Sequence, residues 1–172
     1  LALNVSIAGF IPKPHTPFQW ARQNTIAELE AKQTLLRELL ARHKQVKLSC
    51  HGAQQAILEG LLARGGRDWA DLIEAAFREG AVFESWSDRF NLGLWLGVAA
   101  AQGRDLLAEA QRDWPLDAPL PWDHIDCGVT RAFLAREWER AQSRTLTEDC
   151  RLGPCRDCGA RDLLGECPEA RA

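Results

Sequence analysis

The cysteines near the C-terminal end are the residues most clearly spaced for chemistry. Cys150, Cys155 and Cys158 follow the pattern C-x4-C-x2-C, and Cys167 comes after eight intervening residues. Loops this short let several sulfurs face one centre, and Gly153, Pro154 and Gly159 supply the tight turns. In a reducing compartment, thiols clustered in this way are metal ligands more often than disulfide partners. Two metals fit the ligand set. Zinc takes four thiolates in a tetrahedron and would staple the segment. An iron–sulfur cluster takes the same ligands, and C-x4-C-x2-C matches the first three positions of the plant-type ferredoxin spacing. That spacing places its fourth cysteine further off, so both metals stay open. Cys50 and Cys127 stand alone and read as small buried hydrophobes, although Cys127, in Asp126-Cys127-Gly128, could instead join the tail cluster.

The histidines are His15, His43, His51 and His124, and no pair has the helical spacing of a zinc protease. His43 falls at a helix C-terminus, where the dipole favours a cation, and His51 directly precedes a helix; both read as structural. His15 sits in a proline-rigid loop after a strand, where α/β folds hold their ligands. His124 lies between Asp123 and Asp126, and a carboxylate there would hold its ring in one tautomer. Trp86, Trp95 and Trp138 fit helix faces, whereas Trp20 and Trp122 sit in proline-rich loops and read as pocket or seam residues. The chain has no glycine-rich phosphate loop, no serine nucleophile elbow and no isolated carboxylate pair.

The elements that must carry these residues are mostly helical. Leu1 to Ala8 read as a strand, and its imperfect alternation suits a strand buried on both faces. Three prolines between Pro12 and Pro17 then enforce an extended loop up to Trp20. Helices are expected over about 24–42 (with Asn24 as N-cap), 52–63, 69–78, 88–101, 104–112 and 130–143, with a short strand at Val46–Cys50. Pro115, Pro119 and Pro121 hold an extended segment leading into Trp122-Asp123-His124-Ile125-Asp126. Residues 145–172 have too few apolar side chains for a core, so a cross-link or metal is expected to order them.

A net charge of −3, with both signs mixed along the chain, gives no indication of nucleic-acid binding. No apolar run approaches the ~20 residues that span a bilayer, and no signal peptide is recognisable; the chain reads as cytoplasmic. Methionine is absent even at position 1. With an opening strand that has no obvious sheet neighbours in the next hundred residues, this implies a segment cut from a longer protein.

The stretch Phe10-Ile11-Pro12-Lys13-Pro14-His15-Thr16-Pro17-Phe18-Gln19-Trp20 resembles a distinctive segment of a largely uncharacterised bacterial radical S-adenosylmethionine family. That family has a cobalamin-binding-type region ahead of its barrel. Three further stretches agree in order: His51 through Leu58-Glu59-Gly60 to Arg64-Gly65, then Pro119-Leu120-Pro121-Trp122-Asp123-His124-Ile125-Asp126, then Thr147-Glu148-Asp149-Cys150-Arg151 with Cys155, Cys158 and Gly159. The family differs in carrying an acidic residue where Gly52 stands, Asp-Arg where Gly66-Arg67 stands, and a cysteine near Arg161.

The resemblance implies a mainly α chain in three parts. Residues 1–20 would end a partial (β/α) radical enzyme barrel, 21–144 form a helical extension, and 145–172 a cysteine-rich tail. It implies a 4Fe–4S cluster and S-adenosylmethionine in the intact enzyme, held by a C-x3-C-x2-C motif in the upstream remainder of the barrel. It also implies an auxiliary iron–sulfur cluster or zinc on Cys150, Cys155, Cys158 and Cys167, and a barrel-mouth loop bringing Lys13 and His15 to cofactor or substrate. The substrate is not implied. The competing expectation is a stand-alone helical interaction module with a structural zinc.

Overall fold

Leu3, Val5 and Ile7 alternate with Asn4 and Ser6, and this period of two forms strand β1 (Leu3–Ile7). In the computed structural model, which describes residues 2–160 and 165, β1 pairs in parallel with β2 (Val46–Cys50). The register sets Leu3 against Val46, Val5 against Leu48 and Ile7 against Cys50. Helix α1 (Ile26–Leu40) supplies the crossover that a parallel pair requires. The neighbour that β1 lacked in the sequence reading is therefore the short strand forty residues on. The expected full burial of β1 is not found: Leu3 is 51% exposed. The two-stranded sheet is covered on one face only, where Val5, Ile7, Val46, Leu48 and Cys50 are half-buried. Asn4, Ser6, Lys47 and Ser49 on the other face are exposed.

The start of α1 shows why the chain turns helical there. Thr25 Oγ1 accepts the Glu28 N–H at 3.0 Å, and Glu28 Oε2 accepts the Thr25 N–H at 2.7 Å, a reciprocal capping box. The cap is thus Thr25 rather than Asn24, whose amide donates to Glu28 at 3.2 Å. Arg22 pairs with the same carboxylate at 2.8 Å. The Arg22 hydrogen bond, then those from Thr25 and Asn24, hold the Glu28 carboxyl far below the usual carboxylate range.

Helix α2 (Ala53–Arg64) follows β2. A single 3-10 turn (Arg67–Trp69) leads into α3 (Ala70–Arg78). Asn91 caps α4 (Leu92–Ala101), Asp105 caps α5 (Leu106–Ala110) and Thr130 caps α6 (Arg131–Gln142). Every helix expected from periodicity is present, most of them shorter at their ends. Among the described residues, no helix is long and apolar enough to cross a membrane.

Packing groups the chain into two compact units, residues 1–12 with 21–113 and residues 13–20 with 114–172. In the first unit, Ile57, Leu58 and Leu61 of α2 are buried with Leu29, Trp69, Leu72, Trp95 and Leu106. Gln23 is buried among them at 1% exposure and donates from Nε2 to the Ala56 carbonyl at 2.6 Å. A Cβ added to Gly60 would stand 2.0 Å from Gln23 Oε1, which accounts for a glycine inside a helix. In the second unit, Trp20, Trp122, Leu120 and Leu134 form the core, with Trp114, Phe133 and Trp138 packed against it. Trp20 and Trp122 are therefore core residues rather than pocket linings. Trp86 lies outside any helix and is 62% exposed, against the expectation that it packs inside.

Candidate functional site

The proline-rich loop belongs to the second unit and is folded on itself. Thr16 Oγ1 donates to the Lys13 carbonyl at 2.8 Å, and the Gln19 N–H donates to the Thr16 carbonyl at 3.0 Å. Between them His15 adopts a left-handed backbone, with φ of 56°. That conformation is uncommon for a residue with a Cβ and is retained only where the surroundings enforce it. Here Pro14 and Pro17 restrict the chain on either side, and the His15 N–H is bound by Gln19 Oε1 at 3.0 Å. The same oxygen accepts the Trp122 indole N–H at 2.8 Å.

Gln19 thus joins the loop to the Pro-Leu-Pro-Trp-Asp segment through one carboxamide, itself only 3% exposed. The chain closes a second link where the Trp114 N–H donates to the Trp20 carbonyl at 2.9 Å. Arg131, at the start of α6, fixes the proline segment. Its guanidinium reaches the carbonyls of Leu116 and Ala118 and the Asp123 carboxylate, the last at 2.9 Å, and lies 5.9 Å from the Trp20 ring centre.

Of the candidate ligand contacts, Lys13 is exposed and His15 is half-buried. His15 Nε2 is shielded from solvent and has no hydrogen-bond partner. His124 is exposed, and the carboxylates expected to orient its ring are engaged elsewhere. Asp123 accepts from Arg131 and from the Leu120 N–H, and Asp126 accepts the Gly128 N–H at 2.8 Å. The backbone N–H of His51 donates to the Ile7 carbonyl at 2.9 Å.

The sequence reading missed Gln19 and Arg131. Gln19 carried a signal, being the one polar side chain between Phe18 and Trp20 in a loop held by prolines.

Hydrogen bonds fasten the described part of the cysteine segment. Residues 145–160 are held by hydrogen bonds to α6 and its cap. The Thr130 N–H donates to the Cys158 carbonyl at 2.8 Å, Arg136 donates to the Arg156 carbonyl at 2.9 Å, and Arg140 reaches the Thr147 hydroxyl at 3.2 Å. Gly159 has φ of 98°, and a Cβ there would stand 2.8 Å from the Gly128 carbonyl oxygen, so this position admits glycine alone. The Cys155 sulfur accepts the Asp157 N–H at 3.5 Å.

Cys50, Cys127, Cys150, Cys155 and Cys158 are free thiols. Cys127 is exposed, against the expectation of a buried hydrophobe, because Asp126 and Gly128 close a tight turn that turns it away from the core. Cys167 lies outside the described residues. Among the described residues, no three His, Cys, Asp or Glu side chains converge as a ready ligand set.

In the first unit, an open groove of about 490 Å³ runs between α3 and α4, with Gly93, Gly97, Arg78 and Glu79 along it. Arg78 is paired there with Glu74.

No protein-family model, no curated protein and no solved structure matches this chain.

Proposed function

We propose that this chain is the C-terminal part of a radical S-adenosylmethionine enzyme, and that residues 13–20 and 119–126 together form the surface it presents to cofactor or substrate. The observation that carries the reading is the shared oxygen of Gln19. Its hydrogen bonds to His15 and Trp122 join the two most specific segments of the family resemblance, which lie a hundred residues apart in sequence. Residues held by such a buried, doubly used acceptor are fixed in relative position, as a binding surface requires. The β1–α1–β2 unit supports the same reading, since parallel strands joined by a helix are the building block of such barrels.

The cysteines of this chain have no C-x3-C-x2-C spacing, so the S-adenosylmethionine cluster belongs to the remainder of the enzyme. When bound there, the cluster and S-adenosylmethionine supply an adenosyl radical for hydrogen abstraction. The part of this chain is to position: the prolines fix the loop at low entropic cost, and Lys13 and His15 are the residues of the loop assigned to the ligand, His15 through a ring whose Nε2 must first be uncovered. A further metal, zinc or an auxiliary iron–sulfur cluster, is assigned to the thiols of Cys150, Cys155 and Cys158, with Cys167 as the fourth ligand on spacing alone. Among the described residues, the sulfurs of Cys150, Cys155 and Cys158 do not form a ready ligand set, so metal binding would have to rearrange them.

The test is reductive cleavage of S-adenosylmethionine by the full-length enzyme after anaerobic cluster reconstitution. Activity should require the intact barrel, be absent from residues 1–172 alone, and fall in His15→Ala while folding is retained. Release of 5′-deoxyadenosine by the 172-residue chain itself would sink this assignment. A second reading, a helical interaction module with a structural zinc, is favoured by the docking of the Cys155–Gly159 turn onto the cap of α6. It predicts stoichiometric zinc and no cleavage by either the 172-residue chain or the full-length protein.

A further inference from the structure

We infer that the outer edge of β1 is a pairing surface for a second copy of this chain, which adds its own β1 antiparallel across a two-fold axis at Val5. The register of the sheet tells which backbone groups are open. The Leu3 N–H donates to the Gln45 carbonyl at 2.8 Å, and the Ile7 carbonyl accepts the His51 N–H at 2.9 Å. With Leu3 opposite Val46 and Ile7 opposite Cys50, the N–H and C=O groups of Leu3, Val5 and Ile7 point at β2. Those of Asn4 and Ser6 therefore point the other way, where no further strand lies among the described residues. Ala2, Asn4, Ser6 and Ala8 are all exposed. Native proteins guard such an edge with a charge, a proline or a bulge. The sequence Leu-Asn-Val-Ser-Ile carries neither charge nor proline, and its pairing with β2 runs one for one without a bulge.

The edge is complementary to itself, as a two-fold interface requires. Antiparallel pairing about Val5 sets Leu3 against Ile7 of the second copy, Asn4 against its Ser6, and Val5 against its Val5. Asn4 and Ser6, the residues with open groups, then exchange both N–H···O=C bonds on each side of the axis. Val5, whose own groups are spent on β2, takes the non-bonded position on the axis, where opposite side chains approach most closely. Opposite residues share a face of the sheet. Leu3, Val5 and Ile7 of both copies therefore continue the apolar face, and Asn4 and Ser6 continue the polar one. A slip of one residue breaks both matches at once. Leu3, 51% exposed in the single chain, is laid beside Ile7 of the second copy. The inference does not depend on the enzyme reading, in which a strand from the rest of the barrel competes for the same edge.

The experiment is sedimentation equilibrium of the 172-residue chain over a concentration series, comparing the parent with Ser6→Pro and Val5→Cys. Ser6→Pro removes an N–H that points away from β2, a strand position where proline is tolerated, so the β1–β2 pair is retained. The expected result is a reversible dimer of the parent and association at least about tenfold weaker in Ser6→Pro, with cooperative unfolding kept in both. In air-oxidised Val5→Cys the introduced thiol should bridge to its own copy, read by mass spectrometry of the linked peptides, whether or not Ser6→Pro folds. A parent that stays monomeric up to about 1 mM overturns the inference, as does a folded Ser6→Pro that associates as tightly as the parent. A dimer whose Val5→Cys copies do not link overturns the register. If the 172-residue chain dimerises and the full-length enzyme does not, the edge belongs to a strand of the barrel, and the second copy is overturned as its occupant.

Discussion

Replacing Gly60 by alanine should destabilise the first unit, although alanine is the better helix former. The residue lies inside α2, where glycine is disfavoured by about 1 kcal/mol relative to alanine. Propensity alone therefore predicts a gain of that size. Against it stands the Gln23 carboxamide: the new methyl would lie 2.0 Å from Oε1 and 2.7 Å from Cδ. Gln23 cannot swing clear, because it is 1% exposed, its N–H is bound to the Ala110 carbonyl at 3.1 Å and its Nε2 to the Ala56 carbonyl at 2.6 Å.

Forcing a methyl into such a site costs about 1–3 kcal/mol, and breaking the Gln23–Ala56 bond adds about 0.5–1.5 kcal/mol. The net expectation is a loss of about 1–3 kcal/mol, or roughly 3–10 °C in Tm for a chain of this size. Urea unfolding of Gly60→Ala, Gln23→Ala and the double variant measures it. The double variant should be more stable than the sum of the single effects predicts, since truncating Gln23 vacates the space that the methyl needs. A Gly60→Ala protein more stable than the parent by about 1 kcal/mol, with no coupling to Gln23, would refute the steric argument.

Gln19→Leu strips the acceptor from the Trp122 indole and the His15 N–H. It should destabilise the second unit by about 1–3 kcal/mol, with Gln19→Glu retaining most of the stability, as read by tryptophan fluorescence during unfolding. Glu28 has a folded pKa held below its reference of 4.5 by Arg22 first and by the helix cap second. Its stabilisation is therefore complete above that reference and drains away as the pH falls below it; Glu28→Gln should flatten the Tm–pH curve of the first unit on the acid side. Gly159→Ala meets both an unfavourable φ of 98° and the Gly128 carbonyl, and should loosen the cysteine turn from α6. Faster hydrogen exchange at the Thr130 amide than in the parent is the readout, and unchanged exchange would argue against the docking.

How far the sequence reaches differs by element. Helices were legible because their apolar residues recur at helical spacing, while their ends were less so: the caps at Thr25, Asn91 and Asp105 were not picked out, and these helices are shorter than the periodicity implied. The partner of β1 was not, since parallel pairing skips a whole helix and leaves no local mark on either strand. The fates of Trp20 and Trp122 were missed for a similar reason. Tryptophan in a proline-rich loop is ambiguous until its N–H partner is known, and for Trp122 that partner lies 103 residues away. Cys127 reads as a buried hydrophobe on average statistics; its exposure follows from the Asp126–Gly128 turn. In the tail, the thiol spacing announced a cluster of cysteines, but not that hydrogen bonds from Thr130, Arg136 and Arg140 already fasten the segment to α6.

The division of the chain has a consequence for its synthesis. Residues 13–20 leave the ribosome well before the residues they pack with, since the other members of their core begin at Trp114 and extend through α6. At about 5–20 residues per second, roughly 5–20 s separates the emergence of Gln19 from that of its partner Trp122. Throughout that interval Phe18 and Trp20 are held in the nascent chain without the side chains that later cover them, while the residues on either side can already enter the first unit. Chaperone capture of the growing polypeptide should accordingly centre on residues 18–20, and should end when α6 has cleared the exit tunnel.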